Sequence, residues 1–362
     1  MIDLVWNFPL LQEQQAIWSE HLAKAMEEYR AMPVEIQRPS FRSALDATLR
    51  ERAGKWLGFP AARTWLVCGN HHGTLLSLLV SGLAGQRVAV EAISYPGFLN
   101  QCRLTRTEMV GIAIDGDGML PDALRSACEQ GRAEGKPIRG LFTMANVQNP
   151  MGFVTSLERR EALVAIAREF DLTIIVDEAY GYLEEHVPTN YAVLAPERTY
   201  FVQGLAKSFA PGSRTGFLVA PESAAEAIAG AIVCLTTGTD VPQNMAALAL
   251  CEDGTLDRLM ADKRTEGAAR NTAARALLAA AGYPSPAGAA CAWHLWLPLP
   301  ERLDPADVVA AMAQVDVLLS SGKFCEVTPG AAHGVRLALG GEVERERTLE
   351  GVKRLAEYLR SV

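Results

Sequence analysis

The 362 residues carry 34 Lys and Arg against 42 Asp and Glu, a net charge of −8, with 49% apolar and 21% charged residues. That balance is the one of a globular protein with enough chain for one large or two moderate domains. The acidic excess argues against a general attraction to nucleic acid or to an anionic membrane, and favours a small-molecule partner. Seven dispersed cysteines without a C-x-x-C pair read as reduced thiols of a cytoplasmic protein rather than a disulfide framework. No apolar run reaches the roughly 20 residues that a bilayer span needs, and the start "MIDLVWNFPLLQEQQ" lacks a signal-peptide pattern.

In chain order, short apolar runs alternate with helical patterns from about residue 62. "TWLVCG" leads through "NHHGT" into the helical "LLSLLVSGLA". "RVAVEAI" is followed by "SYPG" and "FLNQCRLTRTEM". "GIAI" precedes the turn "DGDG" and the helix "PDALRSACEQGRAEG", which has Pro at its start and Gly at its end. "IRGLFTMA", "LTIIVDEAY", "TYFVQGL" and "GFLVAP" are further strands, and "SLERREALVAIAREF" is a helix with Ser as N-cap. Strands that are apolar throughout and separated by helices imply an α/β fold, a mainly parallel sheet between two helical layers. Alanine-rich helices run to about residue 281, and "CAWHLWLPLP" and "GVRLALG" then read as strands of a smaller α+β section. The resulting division is an N-terminal arm over 1–35, a large domain over 36–235, a connecting helical segment over 236–281 and a small C-terminal domain over 282–362.

Ligands of such sheets bind outside the carboxyl ends of the strands. The polar residues ending the runs are therefore the candidates: Asn70, Tyr95, Asn149, Asp177 and Lys207. An acid ending an apolar strand needs a partner, so Asp177 faces either a cationic ligand nitrogen or a core arginine, or caps a helix. Lys207, in "YFVQGLAKSFAPG", is either a neutral amine able to attack a carbonyl or a lysine whose stem is buried and whose head reaches water. Arg214 after the Pro-Gly turn suits phosphate, as do loop amides around Gly69 and Gly73. Asn149 in "QNPMG" and Tyr95 in "SYPG" each read equally as turn residues.

Taken in order, "NPMG", "RR" within a helix, "IIVDEAY" and "GLAKSFAPGSRTGF" resemble the fold type I pyridoxal-phosphate enzymes, and among them the class I/II aminotransferases. "LVCGNHHGTL", "EAISYPGF", "IDGDGMLPDALRSA", "GAACAWHLWLPLP" and "GVRLALG" extend the resemblance over roughly residues 36–355. It implies pyridoxal 5'-phosphate as cofactor, bound to Lys207 as a Schiff base, with Lys207 also carrying the α-proton. It implies that Asp177 pairs with the pyridinium nitrogen, that Asn149 and Tyr180 bond the phenolate oxygen, and that Tyr95 stacks on the ring. Asn70, His71 and Arg214 would hold the phosphate, and Arg336, with Asn149, would bind the substrate carboxylate. The implied partners are an amino acid, a 2-oxo acid and a second copy of the chain. "DGDG" is also a weak calcium-loop match, but its place before a helix reads as a turn, and no metal is assigned.

Four departures stand out. Gly204 and Ala206 occupy positions that are commonly serine in the family, the first a phosphate ligand. Met151 replaces the threonine of the N-P-T-G turn, and His71-His72 replaces a commonly glutamine-rich pair. "YRAMPVEIQRPSFRSAL" lacks the usual glycine before "FR", and Tyr29 is the candidate there for a tyrosine lent to a neighbouring subunit. The expected reaction is transamination. An elimination, cyclisation or oxidation on the same cofactor is the alternative, and a regulatory protein on the same fold is a third. "WNFPL" hints at an apolar lid, while His71, His72 or His294 could read side-chain polarity.

Overall fold

The computed structural model describes residues 1–37, 44–286 and 288–362. The stretch with Arg38-Pro39 and Phe41-Arg42, where the N-terminal departure falls, lies outside the described residues.

Seven strands form the central sheet: β1 (Thr64–Val67), β2 (Arg87–Glu91), β3 (Glu108–Ile112), β4 (Ile138–Thr143), β5 (Thr173–Asp177), β6 (Thr199–Gly204) and β7 (Gly216–Val219). Their order is β1-β7-β6-β5-β4-β2-β3. β7 is antiparallel to both neighbours and the other pairings are parallel. The sheet is covered on both faces, as the unbroken apolar runs demand. One cover is built on Leu76, Leu78, Phe98 and Ile228, the other on Leu124, Leu163 and Ile166. Ser156 caps the helix Leu157–Glu169 by accepting from the Arg159 N–H, as expected. β3 begins at Glu108, three residues before the apolar "GIAI". It is an edge strand with its first residue exposed, so burial left no apolar signature there. In "DGDG", the Asp115 and Asp117 carboxylates of a tight hairpin are engaged by Arg159 and Ser156.

A second sheet, His294–Pro298 and Ser320–Ser321 flanking Gly334–Ala338, is antiparallel. Residues 2–4 are built into its side of the molecule. Ile2–Asp3 pairs in parallel with Val317–Leu318, and Leu4 accepts from the Ala338 N–H. Ile2 and Leu4 belong to the core of that sheet, with Leu295, Leu337 and Leu355. The helix Gln14–Arg30 packs against the helix Val241–Glu252, sharing a core with Phe209, Phe217 and Leu248.

The strand ends are held by a buried polar frame. Arg160, fully buried, donates to the carbonyls of Thr155, Pro188 and Ala145 and to Asn146 Oδ1. Asn146 in turn donates to Glu178 Oε2 at 2.6 Å. Burial pushes the Glu178 carboxyl up to about 7, against the pull of Arg160 and Asn146. Removing a charged member of such a frame strands its partner. Arg160→Leu is therefore expected to cost about 3–5 kcal/mol of unfolding free energy, read by urea denaturation, while an exposed control such as Arg30→Leu changes it by less than about 1 kcal/mol.

Candidate active site

A cavity of about 240 Å³ opens where β5 and β6 end, lined by Phe8, Asn70, His71, Tyr95, Asp177, Tyr180, Ala206, Lys207, Arg214 and Thr215 among others. Seven of the nine predicted site residues line it. The other two, Asn149 and Arg336, meet beside it, with Arg336 NH1 donating to Asn149 Oδ1 at 3.3 Å. His72, His294 and Tyr29 are not among its lining residues.

Asp177 ends β5 almost fully buried. Its Oδ1 accepts from Asn70 Nδ2 at 2.5 Å and from the Ala179 N–H at 2.9 Å. Burial raises its carboxyl to about 6, opposed by those hydrogen bonds and by Lys207. Lys207 lies one strand away, in the single turn Leu205–Ser208. Its Nζ donates to the Asn7 carbonyl and sits 3.6 Å from the centre of the Phe8 ring. Burial, then the Arg336 charge, bring its amine down from 10.5 to about 7, with Asp177 pulling the other way. The shift favours the unprotonated amine, the state a nucleophile needs.

That turn is supported from beneath by a second lysine that the sequence did not flag. Lys263, fully buried in the helix Thr255–Ala280, donates to the Lys207 carbonyl at 3.0 Å and to the Phe209 carbonyl. Burial, then Lys207, push its amine well below the usual lysine value. Protonated or not, it keeps a donor for the carbonyls that such a short turn leaves open.

The other predicted residues are held as follows. Tyr180 OH accepts from Asn7 Nδ2 at 2.9 Å, leaving its own proton available. Tyr95 OH lies 2.7 Å from His71 Nε2. Burial, then Lys207 and Arg214, lower the His71 imidazole, although its edge faces solvent. Asn7 also meets His294 Nδ1 at 3.2 Å, and His294 Nε2 faces the Gln148 carbonyl at 2.9 Å. Nε2 therefore carries the proton, and burial lowers the ring to about 4, so it stays neutral. From the far end of the chain, Phe8 lines the cavity and Asn7 bonds Lys207 and Tyr180. "WNFPL" was legible as an apolar cover, but nothing in it marked Asn7 as a hydrogen-bonding partner.

The donors fit pyridoxal phosphate. Arg214 has no ion pair among the described residues, and it faces the start of the helix Asn70–Val80 across the same cavity. Helix N–H groups and a guanidinium together suit a phosphate. Asp177 can take a protonated ring nitrogen, and Lys207 a carbonyl carbon. Arg336 Nε is buried without a hydrogen-bond partner, a donor suited to a carboxylate.

In cofactor-free protein carrying 13C-labelled lysine, the Lys207 side-chain resonance is expected to titrate near pH 7. Arg336→Leu removes a repelling cation and raises that midpoint by about one unit, and Asp177→Asn removes an attracting anion and lowers it.

Comparison with known proteins places the chain among aminotransferase relatives. The chain is 34% identical over 194 residues to the aminotransferase swnA of Metarhizium robertsii, a match covering 50% of this chain and 39% of that protein. It thus spans well under half of that relative. It is 25% identical over 284 residues to aromatic-amino-acid aminotransferase 1 of Thermococcus litoralis, covering 76% of this chain and 67% of that one. In fold it is similar to the kynurenine aminotransferase of Pyrococcus horikoshii, solved in complex with PMP, with TM-score 0.88, 22% identity and coverage of 100% and 91%. No helix among the described residues is long and apolar enough to cross a membrane. A family model described as aminotransferase class I and II matches residues 1–354, nearly the whole chain, and the chain belongs to the class I and II aminotransferases.

Proposed function

We propose that this chain is a pyridoxal-phosphate-dependent aminotransferase, which takes the amino group from an L-amino acid and delivers it to a 2-oxo acid. The observation that carries the reading is a half-buried lysine, its amine brought down to about 7, in the same cavity as a buried carboxylate. When bound, pyridoxal phosphate supplies the carbonyl that takes up the amino group and the conjugated ring that stabilises charge left at the substrate Cα.

The chain's own residues do the rest. Arg336 binds the α-carboxylate, with Asn149 Oδ1 bracing one end of the guanidinium. Lys207, its amine brought down to about 7, takes the proton from Cα of the donor amino acid and hands it on within that half of the reaction, and in the second half it supplies a proton to Cα of the acceptor. Asp177 keeps a proton on the ring nitrogen, which its burial among hydrogen-bond donors at Oδ1 equips it to do. Tyr180 and Asn149 donate to the phenolate oxygen, and Tyr95 packs on the ring. Arg214, His71 and the N–H groups at Asn70 and His71 hold the phosphate. Phe8 over Lys207 keeps water from the amine. A homodimer is part of the same proposal, supported by Val233 and Leu235, each 43% exposed on the helix Ala225–Thr236. A cytoplasmic setting is proposed too, resting on seven unpaired cysteines.

Loaded protein is expected to absorb in the visible, to lose that band when an amino acid is added alone, and to regain it with a 2-oxo acid. Pyridoxamine phosphate should appear by mass spectrometry. A band that survives a panel of standard and non-standard amino acids, with no pyridoxamine phosphate, refutes the reading. Lys207→Ala should abolish the mass adduct trapped by borohydride. Arg336→Leu should raise KM for the amino acid about 100-fold.

A further inference from the structure

Gly204 ends β6 with φ −116° and ψ 160°, an extended conformation that any residue adopts. The backbone does not ask for glycine here, but the space does. A Cβ at this position would lie 2.0 Å from Asn70 Oδ1 and 3.0 Å from the Asn70 backbone N. The side-chain overlap is relieved only by turning the Asn70 amide, and the other end of that amide is fastened to Asp177 Oδ1 at 2.5 Å. The strand facing it is shaped the same way. Gly216 pairs with Gly204 across the antiparallel register, and a Cβ on Gly216 would lie 2.8 Å from Gly69 Cα. The loop that delivers Asn70 therefore crosses two facing strand ends that are both glycine.

We infer that Asn70 is a positioning residue for Asp177, and that Gly204 is the space its side chain requires, so the two positions act as one device. Asp177 is buried and takes both of its hydrogen bonds on Oδ1, one from the backbone at Ala179 and one from Asn70. The backbone bond holds one oxygen in place. The Asn70 bond, arriving from a different element, fixes the rotation of the carboxylate and hence the direction in which Oδ2 presents itself to the cavity. A hydroxyl at position 204 would enter the volume occupied by the Asn70 amide, and the device leaves no room for it. The phosphate then depends on Arg214 and the helix N–H groups, while the Asn70 side chain serves the ring-nitrogen end of the site. The spatial half of this inference is independent of the proposed function; the half concerning the ring nitrogen rests on it.

The test is a double-mutant cycle of Asn70→Ala, Gly204→Ala and the two together. In cofactor-free protein, Gly204→Ala is expected to lower Tm by about 4 °C or more, and by about 1 °C or less when Asn70 is already alanine. Additive shifts overturn the interlock. Should Gly204→Ala alone fail to fold, a folded double variant supports the coupling, and a double variant that also fails overturns it. In the second readout, Asn70→Ala weakens the Kd for pyridoxal phosphate roughly tenfold and moves the 15N shift of ring-labelled cofactor toward its unprotonated value. Gly204→Ala does the same by displacing Asn70, and the double variant is no worse than Asn70→Ala. Unchanged Kd and 15N shift in Asn70→Ala overturn the positioning role. Wild-type protein that binds no pyridoxal phosphate refutes the proposed function instead, and leaves the Tm cycle to decide the interlock.

Discussion

Loss of water around two opposite charges governs the cleft. Asp177 ends β5, Lys207 follows β6, and the two strands are adjacent in the sheet. Burial destabilises whichever form is charged, so it drives the acid up to about 6 and the amine down to about 7. Two groups that in water would titrate far apart are brought within reach of each other near neutrality. Their attraction prevents burial from carrying the shifts further, while Arg336 pushes the amine the other way. Substituting Asp177 or Arg336 therefore moves the Lys207 amine.

Such burial is sustainable only because the surrounding backbone is pinned by polar groups that are themselves buried. Arg160, Asn146 and Glu178 tie the loop after β4 to the residue that follows Asp177. Lys263 holds the turn of Lys207 from below, and Trp293 Nε1 donates to the Lys263 carbonyl at 3.0 Å. Gln148 anchors the Met151 N–H and the Ile93 carbonyl while its own carbonyl meets His294. None of these groups lines the cavity. They are what allows a carboxylate and an amine to be placed without water to correct errors in their positions.

The fold was legible because a sheet covered on both faces writes its strands as unbroken apolar runs. Where one edge of a strand is solvated, as at Glu108, that signal stops. The helical segments up to residue 281 were legible as composition, but the break at Asp253-Gly254, where Gly254 adopts φ 82°, was overlooked among the alanines. Within the site, Asp177, Lys207 and Arg214 were readable because they sit close together in an ordered series. Asn7 and Lys263 were not, since each reaches Lys207 from a distant part of the chain and neither sits in a local pattern that asks for a partner. Gly204 was visible as an oddity, yet its reason lies in Asn70, more than a hundred residues earlier. No contact explains Ala206 beyond its place on the cavity wall.

The segment Ile2–Phe8 contributes to the cleft through partners that are all much later in the chain. Val5 accepts from Arg336, Leu4 from the Ala338 N–H, and Asn7 from Lys207. During translation at about 5–20 residues per second, its last partners appear on the order of 20–60 seconds after it does. Throughout that interval Ile2 and Leu4, which end up buried with Leu337 and Leu355, lack the residues that cover them. The piece that completes the cleft is made long before the residues that seat it.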